Sequence, residues 1–410
     1  MAERLLQVLP SVMTLVDGEL ELEADFCEGT RLCLDNFEEV CVACPVTTDV
    51  RNSGLRRSCR IKDLPFQNRM KVVALPNANN WRDFLLYYAS VRKVINREIQ
   101  KADYLVFSPH TVIGDWPTLA VREAIKMNRP YVIDADVVYE EVARVGSAKD
   151  LRWKRMIKQH VMTTIFQRQH RHSLKHSAAA LLQGQDVFDA YAPYCGNPHK
   201  VYHMPVSEAD YVSEGELQNK LLSLNEARPL RIAYVGRAIE MKGPIDWLKT
   251  LHAAKQAGAR FEAVWLGDGL ELPNMRSTAE SLGLTNVTFG GYVSDRDEIL
   301  STLRRSDILL FCHKTPESPR CLIEALASGC PLIGYGSSYP RDLVAQCGGG
   351  EFTEVGDWQA LARVVADLDK DRDMLRELVR QARVSGRLFE RDATMQCRID
   401  LMKQAIALGR

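Results

Sequence analysis

The stretch at 231–243, Arg-Ile-Ala-Tyr-Val-Gly-Arg-Ala-Ile-Glu-Met-Lys-Gly, indicates most about the fold of this 410-residue chain. Its first five residues are typical of a buried strand, which Gly236 ends. Arg237 and Lys242 follow in the next loop, and the helix predicted after Pro244 points its positive end into the same space. Two cations beside a helix N-terminus suit a diphosphate. The alternative is that both cations are solvated surface residues.

A second stretch, at 317–331, reads Glu-Ser-Pro-Arg-Cys-Leu-Ile-Glu-Ala-Leu-Ala-Ser-Gly-Cys-Pro. Ser318 and Pro319 are predicted to start a helix, which places Glu324 in its second turn among apolar residues. A carboxylate there needs a partner, which is either a pair of hydrogen-bond donors such as a ribose diol or the cation of a structural salt bridge. Glu317 either accepts hydrogen bonds from sugar hydroxyls or only complements the helix N-terminus. The free N–H groups at the helix start, which suit phosphate or sugar oxygens, belong to Arg320, Cys321 and Leu322.

Apolar, β-rich runs alternate with helical patterns, which predicts parallel sheets with helices on both faces. The predicted strands lie at 5–12, 40–46, 71–75, 104–108, 131–134, 178–182 and 200–205, and then at 231–236, 262–267, 287–293, 307–312, 331–335 and 351–355. A polar stretch at 207–229 separates the two groups. The sequence therefore predicts an α/β protein of two Rossmann-like, doubly wound domains, at 1–206 and 207–390, facing each other across a cleft. The helix predicted at 391–410 is expected to return to the N-terminal domain.

Composition limits the classes of partner. The chain has 53 cationic and 53 anionic side chains, so its global charge gives no reason to expect nucleic acid as a partner. No apolar run approaches the roughly 18 residues of a spanning helix, and we expect a cytoplasmic protein. The eleven cysteines are scattered. Cys41 and Cys44 have metal-ligand spacing, but they lie in a strand-like run with no second pair nearby, so strand packing is favoured and no metal site is predicted.

The stretch at 149–176 is locally basic, with eight Lys or Arg, one acid and four histidines interleaved with apolar residues at near-helical spacing. A basic amphipathic helix of this kind can lie on an anionic membrane surface. That interpretation would give the protein a peripheral contact with the inner face of the membrane. The alternative is a solvated basic face whose apolar stripe packs inward.

Several motifs recur together in order and spacing over 236–331: Gly-Arg at 236–237, Lys-Gly at 242–243, Leu-Gly-Asp-Gly at 266–269, Phe-Gly-Gly-Tyr-Val at 289–293 and Glu-Ala-Leu-Ala-Ser-Gly-Cys-Pro at 324–331. In this the chain resembles the C-terminal half of family-4 retaining glycosyltransferases of GT-B fold. The resemblance implies retaining transfer of a sugar from a UDP- or GDP-linked donor to a glycan or lipid-linked glycan, with no tightly bound cofactor. It implies a diphosphate on Gly236, Arg237 and Lys242, ribose on Glu324, and the base near Tyr292 and Val293.

The resemblance has one irregularity. The family separates two glutamates by seven residues, whereas six separate Glu317 from Glu324 here, and Pro316 stands at the expected place. Either Glu317 fills the catalytic role or that acidic role is lost. Because no pair of carboxylates identifies itself as nucleophile and acid/base, the resemblance implies front-face substitution with the leaving diphosphate as base. A nucleotide-sugar epimerase and a binding or scaffold protein that has lost turnover are the rival interpretations.

The N-terminal half resembles the family only in its layout. His110 follows a predicted strand, near where family members place an active-site histidine, although an ordinary loop histidine is the alternative. Asp17, in an Asp-Gly turn, and Asp136, at a strand end, are the candidates for contact with an acceptor.

Overall fold

The computed structural model describes residues 3–48, 58–78, 80–111, 114–140, 153–202, 206–224 and 228–409, with the side chains of 24–25 and 153–159 left out of the description. The chain divides into two compact units. The first contains residues 1–140, 150–203 and 392–410, and the second contains residues 204–391. Each unit is built on its own sheet.

The first unit has a mixed sheet of ten described strands. They are β1 (Arg4–Val8), β2 (Met13–Val16), β3 (Glu19–Glu23), β4 (Glu39–Thr47), β5 (Ser58–Arg60), β6 (Met70–Pro76), β7 (Tyr104–Phe107), β8 (Val132–Ala135), β9 (Ala179–Gln183) and β10 (Pro198–Val201). Parallel pairing runs through β6-β4-β1-β7-β8-β9-β10. The seven strands predicted from sequence are those of this parallel part, which confirms a Rossmann-like arrangement.

An antiparallel addition to this sheet was not predicted. β2 pairs in parallel with the end of β4, while β3 pairs antiparallel with both β2 and β5. Asp17 and Gly18 form the turn between β2 and β3 with φ of 51° and 80°. Both residues therefore adopt the positive φ that two-residue hairpin turns require, and an Asp-Gly pair supplies it at low cost.

Helices cover both faces of the first sheet: α1 (Ala24–Leu34), α2 (Trp81–Lys101), α3 (Trp116–Lys126), α4 (Trp153–Lys175) and α5 (Gly184–Tyr191). Successive strand residues point to opposite faces, so Leu5 and Leu6 enter two different core clusters. Cys41 and Cys44 are likewise divided between the two clusters, and both are free thiols. They face opposite sides of β4 and therefore cannot hold one metal ion together.

The second unit has six parallel strands among its described residues: β11 (Leu230–Val235), β12 (Phe261–Leu266), β13 (Val287–Gly291), β14 (Ile308–Phe311), β15 (Leu332–Tyr335) and β16 (Gly350–Thr353). Around them lie α6 (Glu214–Ser223), α7 (Pro244–Gln256), α8 (Leu272–Ser281), α9 (Arg296–Arg305), α10 (Arg320–Ala327), α11 (Ser338–Val344), α12 (Trp358–Lys370) and α13 (Arg372–Gly386). The order is β13-β12-β11-β14-β15-β16. The strand order reverses between β11 and β14, and open α/β sheets bind ligands at such a switch point, beyond the carboxyl ends of the strands.

The last helix, α14 (Arg391–Leu408), packs on the first unit. Its buried residues Ile399, Met402 and Ile406 join the core cluster that contains Leu5 and Val40. Arg398 adds an ion pair with Asp134 of the first sheet, at 2.6 Å.

Candidate functional site

Two glycines shape the switch point of the second unit. Gly236 follows β11 with φ of 156°, and a Cβ there would lie 2.8 Å from the Tyr234 hydroxyl. Gly243 precedes α7 with φ of 64°, and a Cβ there would lie 2.0 Å from the carbonyl oxygen of Cys312. Only glycine allows the start of α7 to lie this close to the backbone that follows β14. The N-terminus of α7 therefore opens at the carboxyl edge of the sheet.

Lys242 and Glu317, which the sequence placed in two separate loops, are in direct contact. The Lys242 Nζ lies 2.8 Å from Glu317 Oε1, and each side chain is 11% exposed. The ammonium approaches from outside the hydrogen-bonding direction, since Glu317 Oε1 has no hydrogen-bond donor among the described residues. The contact is therefore held by charge rather than by a directed hydrogen bond.

Arg237 differs from Lys242 in being exposed. Its side chain forms no ion pair or hydrogen bond with another residue of the described part of the chain. Burial raises the pKa of Tyr234 well above its ordinary value, the charge of Glu317 adds to that rise, and the positive charge of Arg237 opposes it. Arg237 thus presents an uncompensated guanidinium at the edge where Lys242 is already paired.

His313 is a site residue that the sequence analysis missed. It follows β14, and its Nε2 lies 2.8 Å from the hydroxyl of Tyr234, while its Nδ1 lies 3.8 Å from Glu317 Oε1. Burial, together with the nearby Lys242 ammonium, lowers the pKa of His313 well below its ordinary value. The imidazole is therefore neutral at pH 7. A polar residue directly after a buried strand at the switch point was the available signal.

Helix α10 brings its first turn into this group of charges. It begins at Arg320 with Pro319 as its N-cap, one residue later than predicted, because Pro319 keeps an extended ψ of 127°. The N–H of Leu322 donates to the carbonyl of Pro319 at 3.3 Å. The prediction that this N–H is free for a ligand is therefore wrong. Cys321 is buried, which raises the pKa of its thiol to about 12, and it feels the charges of Lys242, Glu324 and Glu317. The start of α10 therefore adjoins both carboxylates.

Glu324 has a protein partner that the sequence did not identify. Arg296, the first residue of α9, reaches Glu324 Oε1 at 2.7 Å and Asp210 Oδ2 at 3.2 Å. Burial alone would lower the pKa of Arg296, but Glu324 and Asp210 together raise it. Of the two alternatives predicted for Glu324, a structural salt bridge and a ribose contact, the salt bridge is present. A ribose contact through the other carboxylate oxygen of Glu324 stays a prediction.

Tyr292 and Val293 lie in the loop between β13 and α9, not at the end of a strand as predicted. β13 ends at Gly291, whose φ of 66° is incompatible with a continuing strand. Tyr292 is 42% exposed, and the loop leads directly to Arg296. The loop proposed to receive a base is therefore followed in the chain by the arginine that pairs with Glu324.

In the first unit the structure brings together His110 and Asp136, at the ends of β7 and β8. The rings of His110 and Tyr139 are 4.1 Å apart, and the Tyr139 hydroxyl donates to Asp136 at 3.2 Å. Partial burial lowers the pKa of His110 and raises the pKa of Asp136. More than a third of each residue remains accessible, so water moderates both shifts. Asp17 lies apart from them in the hairpin turn, with no described contact to either.

Within the described ranges, no group of three or more His, Cys, Asp or Glu residues is placed to hold a metal ion. Searching the same residues finds no helix with the length and apolarity needed to cross a bilayer.

The part of the chain that contains this site is similar to a known protein family. Residues 222–385 match the family model of "Glycosyl transferases group 1". The match contains β11 to β16 and the site residues Arg237, Lys242 and Glu317 to Glu324, whereas Asp210 lies before it. It covers the part of the chain that carries the motifs listed in the sequence analysis.

Two curated relatives match about half of the chain. A 2-deoxystreptamine N-acetyl-D-glucosaminyltransferase of Streptomyces fradiae is 28% identical over 174 residues, 41% of this chain and 40% of its own. A 2-deoxystreptamine glucosyltransferase of Streptomyces kanamyceticus is 28% identical over 203 residues, 49% of this chain and 50% of its own. The chain thus spans half or less of the length of these relatives.

Structural similarity extends over the whole chain. The Anabaena protein HepE, solved in complex with UDP, superposes with a TM-score of 0.66 and 16% identity, covering 98% of this chain and 100% of that one. The similarity establishes the fold: two Rossmann-like domains as in GT-B glycosyltransferases.

Proposed function

We propose that this protein is a retaining, family-4 glycosyltransferase that moves a sugar from a nucleoside-diphosphate sugar to a glycan or lipid-linked glycan. The observation that carries the proposal is the convergence of Arg237, Lys242, Glu317 and Glu324 on one switch point. Cations suit the diphosphate, and carboxylates suit sugar and ribose hydroxyls. A uridine nucleotide is the favoured donor because the similarly folded HepE was solved with UDP, and a guanosine nucleotide is the alternative.

The proposed reaction is a front-face substitution. The bond from the anomeric carbon to the diphosphate oxygen breaks, and the acceptor oxygen bonds to the same face of that carbon. The acceptor's proton passes to the departing diphosphate oxygen. Arg237, Lys242 and the N-termini of α7 and α10 stabilise the charge that develops on the leaving group. Glu317 accepts hydrogen bonds from the transferred sugar, and His110 of the first unit is the second residue proposed for catalysis.

An acceptor with an apolar part is supported by α2, which starts at the carboxyl edge of the first sheet, after β6. Trp81, Leu85 and Leu86 are 48%, 68% and 71% exposed on its first two turns. Large exposed apolar side chains so close together are typical of contact with lipid or another apolar surface. His110 and Asp136, proposed for the active site and the acceptor side, follow parallel strands of the same sheet and so lie at the same edge.

The membrane contact predicted for 149–176 stays a proposal, as does a cytoplasmic location at the inner face of the membrane. Residues 149–152 lie outside the described part of the chain. In the described part of α4, Phe166 and Leu174 are buried, and His170 is buried with them. Val161, in contrast, is 48% exposed. Inward packing of part of the apolar stripe fits the solvated-face alternative, so α2 is the better supported contact.

The proposal is tested by a thermal-shift panel of UDP, GDP, ADP and TDP and their common sugars, on wild type, Arg237→Ala and Glu324→Ala. One nucleotide family should raise the melting temperature of the wild type but not of either variant. Lys249→Ala, which removes an exposed cation from α7, is the control and should respond like wild type. No stabilisation by any nucleotide would contradict the proposal.

The reaction is then followed with the donor that binds. NMR of the product should give the anomeric configuration of the donor, and an inverted product would contradict the retaining mechanism. Conversion of the donor sugar without an acceptor would identify an epimerase instead. Binding without any product over a panel of acceptors would favour the scaffold alternative.

A further inference from the structure

The charge of Lys242 is already compensated within the protein. Its ammonium faces Glu317 Oε1 at 2.8 Å, with both side chains nearly buried. Arg237, Lys242 and Glu317 therefore sum to a formal charge of +1 rather than +2 at the predicted diphosphate site. A diphosphate that approached Lys242 would meet a carboxylate in the same position, and like charges that close together repel strongly where water is scarce.

No directed hydrogen bond from a described residue holds Glu317 Oε1 in place. Its Oε1 lacks a hydrogen-bond donor, because Lys242 approaches off the hydrogen-bonding direction and His313 Nδ1 is 3.8 Å distant. His313 itself is fixed on its other side by the Tyr234 hydroxyl at 2.8 Å. Glu317 thus lies beside the fixed His313 side chain and is held mainly by the charge of Lys242. Among the described residues, rotation of its carboxylate toward new donors gives up the ion pair with Lys242 and no directed hydrogen bond to Oε1.

Sugar hydroxyls are such donors. In the proposed function the transferred sugar offers hydroxyl groups to Glu317, whereas a bare nucleoside diphosphate has only its ribose hydroxyls, which are proposed to bind Glu324. Only the intact donor therefore compensates Glu317 for the loss of Lys242 and leaves that lysine to the diphosphate. After transfer the sugar is gone, and the carboxylate again competes for the lysine.

We propose that Glu317 is an internal competitor of the diphosphate for Lys242, and that sugar hydroxyls release the lysine by engaging the carboxylate. This inference rests on the proposed function. It makes Glu317 a specificity-determining residue that favours the sugar-bearing nucleotide over the nucleoside diphosphate that remains after transfer. It also favours release of that product.

The test is titration calorimetry of the full chain with UDP and with UDP-glucose, or with the guanosine pair if the thermal-shift panel selects it. Glu317→Gln keeps the shape of the side chain but removes its charge. It should tighten nucleoside diphosphate binding about tenfold, equivalent to about 1.4 kcal/mol, and should leave nucleotide-sugar binding unchanged or weaker. Lys242→Met in the Glu317→Gln background should abolish the gain, because no lysine remains to be released.

Glu354→Gln, at a glutamate that is 90% exposed, is the matched control and should leave both affinities unchanged. Nucleoside diphosphate affinity that is unchanged or lower in a folded Glu317→Gln variant would overturn the inference and leave the proposed function intact. Absence of nucleotide binding in wild type and variants alike would overturn both. If Glu317→Gln does not fold, Glu317→Asp is used, which moves the carboxylate away from Lys242 by one methylene. Tighter nucleoside diphosphate binding by that variant would support the inference, and unchanged or weaker binding would overturn it.

Discussion

Arg296→Met isolates the contribution of the ion-pair network behind the predicted ribose site. The change keeps most of the side-chain volume and leaves Glu324 and Asp210 without their shared cation. Removing one partner of a buried pair costs about 3 to 5 kcal/mol. The three side chains keep 13% to 22% exposure, and Asp210 retains hydrogen bonds from the N–H and hydroxyl of Ser207. We therefore expect a loss of about 2 to 3 kcal/mol in the free energy of unfolding of the second unit.

The assay is thermal unfolding, in which this loss should lower the melting temperature of the second unit by roughly 5 to 10 °C. Adding Glu324→Gln to Arg296→Met should restore about 1 kcal/mol, because the unpaired carboxylate is then gone. Arg305→Met, at an exposed position on the same helix, should change stability by less than about 0.5 kcal/mol. An Arg296→Met protein as stable as wild type, or a double variant less stable than Arg296→Met, would refute the reasoning.

Three further outcomes are expected. Gly243→Ala should lower the free energy of unfolding by more than about 3 kcal/mol and abolish nucleotide-induced stabilisation, because its Cβ would lie 2.0 Å from a carbonyl oxygen. Gly258→Ala, at a position with φ of 92° and open space around the Cβ, should lower it by about 1 kcal/mol in the same thermal melts. Burial raises the pKa of Asp115, the N-cap residue of α3, from 3.8 to about 7. The stability that protonated Asp115 contributes is complete below pH 3.8. It is lost as pH rises toward 7, by up to about 1.4 kcal/mol per pH unit. In urea titrations, the free energy of unfolding of Asp115→Asn should therefore change less between pH 5 and 8 than that of wild type. Leu85→Ser with Leu86→Ser should reduce flotation with anionic vesicles without changing the melting temperature, and unchanged flotation would exclude α2 as the lipid contact.

The alternation of apolar and helical runs was sufficient to predict the parallel strands of both sheets. Their periodicity is local, and burial on both faces makes the runs continuously apolar. The hairpin of β2 and β3 was missed although Asp17-Gly18 is a strong turn signal. Its second strand, Glu19–Glu23, alternates glutamate with leucine, so it lacks the continuous apolar run that marked the other strands. Two of its glutamates pair with Lys62 and Arg60.

The site was predicted as a set of residues but not as a set of contacts. Arg237, Lys242 and Glu324 follow from motif spacing, since strand ends and helix starts determine which residues meet at the switch point. The Lys242–Glu317 pair does not, because it joins side chains from loops after two different strands and depends on their rotamers. Arg296 was missed for a related reason: an arginine opening an ordinary surface helix has no local feature that distinguishes it.

The course of α14 has a consequence for biosynthesis. Residues 399–406 complete a core whose other members, among them Leu5 and Val40, precede the second unit in the chain. All of the second unit, residues 204–391, is translated between them. Domains generally fold as units in the order in which they are synthesised. Here the core of the first unit is completed only after the second unit has been translated, and part of its apolar face stays uncovered on the nascent chain until α14 has been made.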